Sequence, residues 1–130
     1  MSDDPCRQPP SPTLLAAVRQ FNAGDYFVCH ETLEALWIDE NRPLRDVYKG
    51  VLQIGVGLLH LQRGNEKGAL LLLRRGRELI APFLPACLGL DLAALSAEAA
   101  RVLTLLDNPG QKRPLELGEQ RPLLRLIDPI

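Results

Sequence analysis

The stretch YFVCHETLEALWI, residues 26–38, decides the fold. Wound at about 3.6 residues per turn, it places Tyr26, Cys29, Leu33, Leu36 and Trp37 on one apolar arc. His30 and Glu34, spaced i,i+4, lie beside that arc on one face, with Phe27 and Ile38 on their far side. Two polar side chains therefore have large apolar neighbours on both borders, which a merely solvated face does not need. Glu31 sits at the outer edge of the same face. No stretch alternates apolar and polar residues like a strand, and β-branched residues are few, so the chain is predicted to be all-α.

Working outward, Asn22-Ala23-Gly24-Asp25 is turn chemistry, with Gly24 free to take positive φ and Asp25 placed to cap the helix that follows. Upstream, Ser11 as N-cap and Pro12 at N1 open a first helix over Thr13 to Phe21. Downstream, Asp39-Glu40-Asn41-Arg42-Pro43 breaks the second helix, and a third, the longest, runs from there to about Arg63. Gly64-Asn65 ends it and caps a fourth, about Glu66 to Phe83, closed by Pro82 and Pro85. Leu88-Gly89-Leu90-Asp91 reads as a further turn and cap, and a fifth helix spans Asp91 to Leu106. The expected architecture is a compact bundle of about five helices in antiparallel hairpins.

Three regions follow: a flexible N-terminal tail over 1–11, a helical domain over 12–108, and an extended C-terminal tail over 109–130. That last tail is expected to lay Leu123, Leu124, Leu126 and Ile127 on the body or on a partner. Placing Gly24-Asp25 over Gly64-Asn65 also aligns Cys29 with Ala69 and Leu33 with Leu73, a weakly tetratricopeptide-like rhythm. Two units are too few for a solenoid.

A chain of 130 residues suits one hydrophobic core, and 46% apolar with 24% charged residues is ordinary for a soluble domain. A net charge of −1 supplies no basic field, so neither nucleic acid nor a membrane surface is an expected partner. Cys6, Cys29 and Cys87 are odd in number, widely spaced and without a CxxC pair. The expectation is reduced thiols in a cytoplasmic protein. The opening MSDDPCRQPPSP is acidic and proline-rich where a signal peptide needs a basic start and an apolar run. Residues 51–61, the most apolar stretch, fall far short of the roughly 20 needed to cross a bilayer.

Helix three carries a polar stripe of Asp46, Lys49, Gln53 and His60, bordered by Gly50 and Gly57. Glycine costs a helix about 1 kcal/mol against alanine, so such residues usually admit a neighbouring backbone. If that neighbour is helix two, Gln53 and His60 face His30 and Glu34.

The run Phe21-Asn22-x-Gly24-x-Tyr26-Phe27-x-x-His30-Glu31-x-x-Glu34-x-x-Trp37, then Tyr48-x-Gly50-x-x-Gln53, His60 and Gly64-Asn65-x-x-Gly68-Ala69, resembles a bacterial and archaeal family called domain of unknown function 309. The resemblance covers about residues 14–92, and Val28-Cys29 stands where the family pattern has Glu-Ala. It implies a compact helical bundle in which the His-Glu-x-x-Glu-x-x-Trp helix matters. It brings no established activity.

The candidate site residues are His30, Glu31, Glu34, Trp37, Gln53, His60, Tyr26 and Tyr48. Three readings stay open. The first is a hydrogen-bond network of His30, Glu34, Gln53 and His60 that locks helix two on helix three. The second is a non-enzymatic site for a small molecule or a protein, with Trp37 and Tyr26 as cation–π faces. The third is a metal-dependent hydrolase-like centre in which His30, Glu34 and His60 hold a divalent metal. The motif is HExxE where zinc proteases have HExxH, and no phosphate loop or nucleophile elbow is present. The binding module leads, and no cofactor is established. Elsewhere, Arg74, Arg77 and Lys67 are expected on a solvent face, Cys29 as an inert core thiol, and Leu70 and Leu71 under the tail or in a homodimer seam.

Overall fold

The computed structural model describes residues 4–127. Helix α1, Pro12–Asn22, starts where the Ser11 hydroxyl accepts the Leu14 amide at 3.1 Å, and it buries Leu14, Ala17, Val18 and Phe21. Gly24 turns the chain at a φ of +80°, and α2 runs Tyr26–Asp39. Asp25 holds the N-cap position without a capping hydrogen bond, against expectation. Its ψ of 61° falls short of the 81° at Asn65 and the 84° at Asp91, both of which do cap. Helix α3 spans Arg45–Gln62, and α4 spans Glu66–Ile80 with Asn65 Oδ1 accepting the Gly68 amide at 3.0 Å. Pro82 has no amide hydrogen to continue the ladder. Accordingly, α4 stops before the expected Phe83, and Ala81–Phe83 tightens into a 3-10 turn. Helix α5, Leu92–Leu106, is capped by Asp91 at the Ala94 amide.

The all-α expectation holds in its architecture. Helices α1 and α2 form one hairpin and α3 and α4 another, with α3 in the middle and α5 packed on α4. The paired positions of the sequence echo play equal parts: Cys29, Ala69, Leu33 and Leu73 are all buried.

The glycines of α3 face a different neighbour from the one expected. A Cβ at Gly50 would lie 2.5 Å from Ile80 Cγ2 and 3.0 Å from the Gly76 carbonyl, and one at Gly76 would lie 2.7 Å from the Gly50 carbonyl. Gly57 likewise meets Leu73 and the Ala69 carbonyl. The backbones of α3 and α4 thus touch along a glycine seam, and α2 lies on another side of α3.

A small hairpin was not foreseen. Strands β1, Ala86–Cys87, and β2, Leu90–Asp91, pair antiparallel, and Leu126 bridges to Leu90. Leu88 and Gly89 turn it at φ values of 54° and 74°, the double positive φ of a type I′ hairpin turn. Strands this short contain no period to read.

The hairpin also overturns the expectation of three reduced thiols. Cys6 and Cys87, 81 residues apart, form a disulfide, and Cys29 is free and buried. The N-terminal stretch read as a flexible tail carries a 3-10 turn, Pro5–Arg7, and Leu88 donates its amide to the Cys6 carbonyl at 2.7 Å.

The C-terminal segment crosses the body. The Asn22 side chain donates to the Leu124 carbonyl at 3.0 Å and accepts its amide at 2.7 Å, as a neighbouring strand would. Arg113 donates to the Leu106 carbonyl at 2.8 Å, and Arg101 donates to the Gln120 carbonyl. Leu115 and Leu124 are buried, while Leu126 and Ile127 remain exposed. Residues 1–3 and 128–130, the extremities of the two expected tails, lie outside the described residues. Among the described residues no helix is long and apolar enough to cross a membrane.

Candidate functional site

Helix α2 presents His30, Glu34 and Trp37 to Lys49, Leu52 and Gln53 of α3, and together they line a groove of about 150 Å³. His30 Nε2 lies 3.4 Å from Glu34 Oε2, the contact expected of an i,i+4 pair. The two side chains are 34% and 43% exposed, which puts them at the lip and not in the core. Gln53 is half-buried. Its Oε1 is closed off from solvent and has no hydrogen-bond partner. Such an orphaned acceptor costs about 1–3 kcal/mol.

Trp37 forms the end wall. The Arg45 guanidinium sits 4.8 Å from its ring centroid and the Lys49 ammonium 5.6 Å, so the cation–π capacity of this ring is already used within the chain. Phe27 stands by the His30 ring at 6.3 Å between centroids. Phe27 is 55% exposed and Ile38 61%, and these two form an apolar border outside the polar pair. Glu31 is exposed beyond it.

The remaining candidates lie elsewhere. His60 stands at the end of α3, with Nδ1 3.3 Å from the Asn65 side-chain nitrogen, and is not part of the groove lining. Tyr48 is buried near the Glu40–Arg42 pair; burial pushes its phenol up, and the Glu40 carboxylate adds to the rise. The hydrogen bond from Arg42 holds Glu40 below the usual carboxylate range. Tyr26 turns to a second and larger cavity of about 470 Å³, between the end of α3 and the C-terminal segment. Among the described residues no group of three or more His, Cys, Asp or Glu side chains gathers as a metal set.

Two arginines carry roles the sequence did not disclose. Arg77, expected on a solvent face, donates from Nε to the Ser96 carbonyl at 3.0 Å and its hydroxyl at 3.2 Å, tying α4 to α5. Arg121 donates to the Asn22 carbonyl at 2.8 Å and lines the larger cavity. Neither was legible: Arg77 sits in a run of arginines, and Arg121 in a segment with no periodicity.

Fold and site define a class, a five-helix bundle with a half-open polar groove between its second and third helices. Residues 14–72, from α1 into α4, match the family described as Domain of unknown function (DUF309). No curated protein matches the chain.

Proposed function

We propose that the chain is a non-enzymatic binding module whose α2–α3 groove receives a single basic side chain, lysine or arginine, from a protein partner. The observation that carries this is Gln53 Oε1, a buried acceptor without a donor, set beside the Glu34 carboxylate. Both groups accept hydrogen bonds, and an ammonium or guanidinium supplies donors and the opposite charge. Lys49 also lines the groove but is turned onto Trp37, and Glu34 supplies the negative charge at the mouth. The groove's 150 Å³ is below the roughly 300–1,000 Å³ of small-molecule sites. It fits one head group better than a whole ligand. Exposed Phe27 and Ile38 give the partner an apolar landing beside the polar centre.

The test is an NMR titration of labelled protein with n-butylguanidinium and n-butylamine. Shifts confined to Glu34, Gln53 and their neighbours are expected, with Glu34→Gln weakening binding about tenfold, as loss of a charge-assisted hydrogen bond implies. Absence of any shift at tens of millimolar would overturn the proposal. So would a response of His30 and Glu34 to zinc or manganese without one to either amine, which restores the metal reading.

A further inference from the structure

The larger cavity has no part in the groove just described, and its lining is unlike it. Leu58 and Leu61 of α3 form one wall, and Leu115 and Leu117 of the C-terminal segment form the other. At 470 Å³ it falls within the range of small-molecule sites, about 300–1,000 Å³. Arg63 and Glu116, both exposed, oppose each other in charge along its lining. Arg121 is therefore the uncompensated charge of the cavity.

Two of its lining residues carry orphaned polar atoms. Tyr26 Oη and Arg121 Nε are both buried and without a hydrogen-bond partner. The Arg121 guanidinium lies over Gly24, where a built Cβ would be 3.8 Å from Nε and 4.0 Å from Cζ. It acts electrostatically on the Tyr26 hydroxyl, partly opposing the rise that burial causes there. An unused N–H and a phenolic O–H beside one positive charge are two donors lacking an acceptor, and leaving them unpaired is costly. Four leucines offer the remainder of the space to something apolar.

We infer that this cavity is a binding site for a small aliphatic carboxylate, whose anionic head takes the hydrogen bonds of Tyr26 and Arg121 and whose chain lies between the leucines of α3 and those of the C-terminal segment. A neutral molecule of the same length lacks the charge that answers Arg121. A short, wholly polar anion leaves the leucine walls wet. Selectivity for head and tail together is the signature of the site.

Octanoate and 1-octanol, titrated separately into the full-length protein and followed by amide shifts at Gly24, Leu115 and Leu117, test the inference. Octanoate is expected to bind at least about tenfold more tightly than 1-octanol and more tightly than acetate, the scale of one charge-assisted contact and of several buried methylenes. Tyr26→Phe removes an unpartnered hydroxyl and leaves the ring in place, so the fold is kept; it should weaken octanoate several-fold and leave 1-octanol unchanged. Arg121→Gln should abolish the preference for the anion. Leu117→Trp, which fills the cavity away from the head, should block both ligands. Equal affinity for octanoate and octanol, an unchanged octanoate affinity in Tyr26→Phe and Arg121→Gln, or shifts for neither ligand would each overturn it.

Discussion

Burial pushes the Cys29 thiol up to about 12 from its ordinary 9.0, and its Sγ lies 3.4 Å from the Ala17 carbonyl. Burial likewise raises the Tyr26 phenol above 10.0. Each group keeps its proton in the folded chain over a range where the unfolded chain releases it. Between 9.0 and about 12 the native state therefore binds more protons, and stability falls as pH rises. Urea midpoints should drop steadily above pH 9, and Cys29→Ala should flatten the first part of that drop. A midpoint that stays level through this window would contradict the burial argument. The same thiol should resist alkylation in the native protein while reacting fully in urea. At this scale the sequence was most informative where neighbours are local. The i,i+4 spacing of His30 and Glu34 stated their contact, and the apolar arc of α2 stated that Cys29 is inside. That Tyr26 serves a different cavity depends on a C-terminal segment remote from it in the chain.

Among the elements, the α3–α4 seam sets the frame on which α2 rests. Gly76→Ala would drive a Cβ to 2.5 Å from Ile54 Cγ1 and 2.7 Å from the Gly50 carbonyl, and backbone cannot yield there as a side chain can. Overpacking of about 1–3 kcal/mol should outweigh the gain in helix propensity of about 1 kcal/mol. Gly55→Ala on α3 is the control. Its Cβ would meet the Phe21 ring at 3.6 Å, an ordinary contact, so thermal denaturation should show it neutral or stabilised by up to about 1 kcal/mol. A Gly76→Ala variant as stable as wild type would remove the close-approach account of the seam. The existence of five helices was legible because each carries its own period, cap or stop. Which face of α3 meets which helix was not, because a glycine pair announces close approach without naming what approaches. The β1–β2 hairpin escaped notice for another reason: Leu88, not Asn or Gly, takes the left-handed turn position, held there with its side chain buried.

For the whole molecule, the Cys6–Cys87 bond and the Asn22–Leu124 pair fasten the two ends of the chain to the bundle. Closing a loop across 81 residues stabilises a fold by up to about 4–5 kcal/mol in the chain-entropy account. Reduction should thus lower the denaturation midpoint markedly, and Cys6→Ser should do the same without reductant; an unchanged midpoint after verified reduction would argue against the bond as a stabilising feature. Disulfides persist in oxidising surroundings, so this bond and an expected cytoplasmic residence pull in opposite directions. Asn22→Ala leaves Leu124 without its side-chain partner, a loss of about 2 kcal/mol, and should expose the chain beyond Arg113 to limited proteolysis. These long-range ties were invisible in sequence because loop residues carry no period. The tail has one more consequence. Residues 14–72 match the DUF309 family, but the roof of the larger cavity is made by Leu115, Leu117 and Arg121, outside that stretch. A kindred bundle with another ending would inherit the floor and not the ceiling. What such proteins admit there would then diverge while their helices stay superimposable.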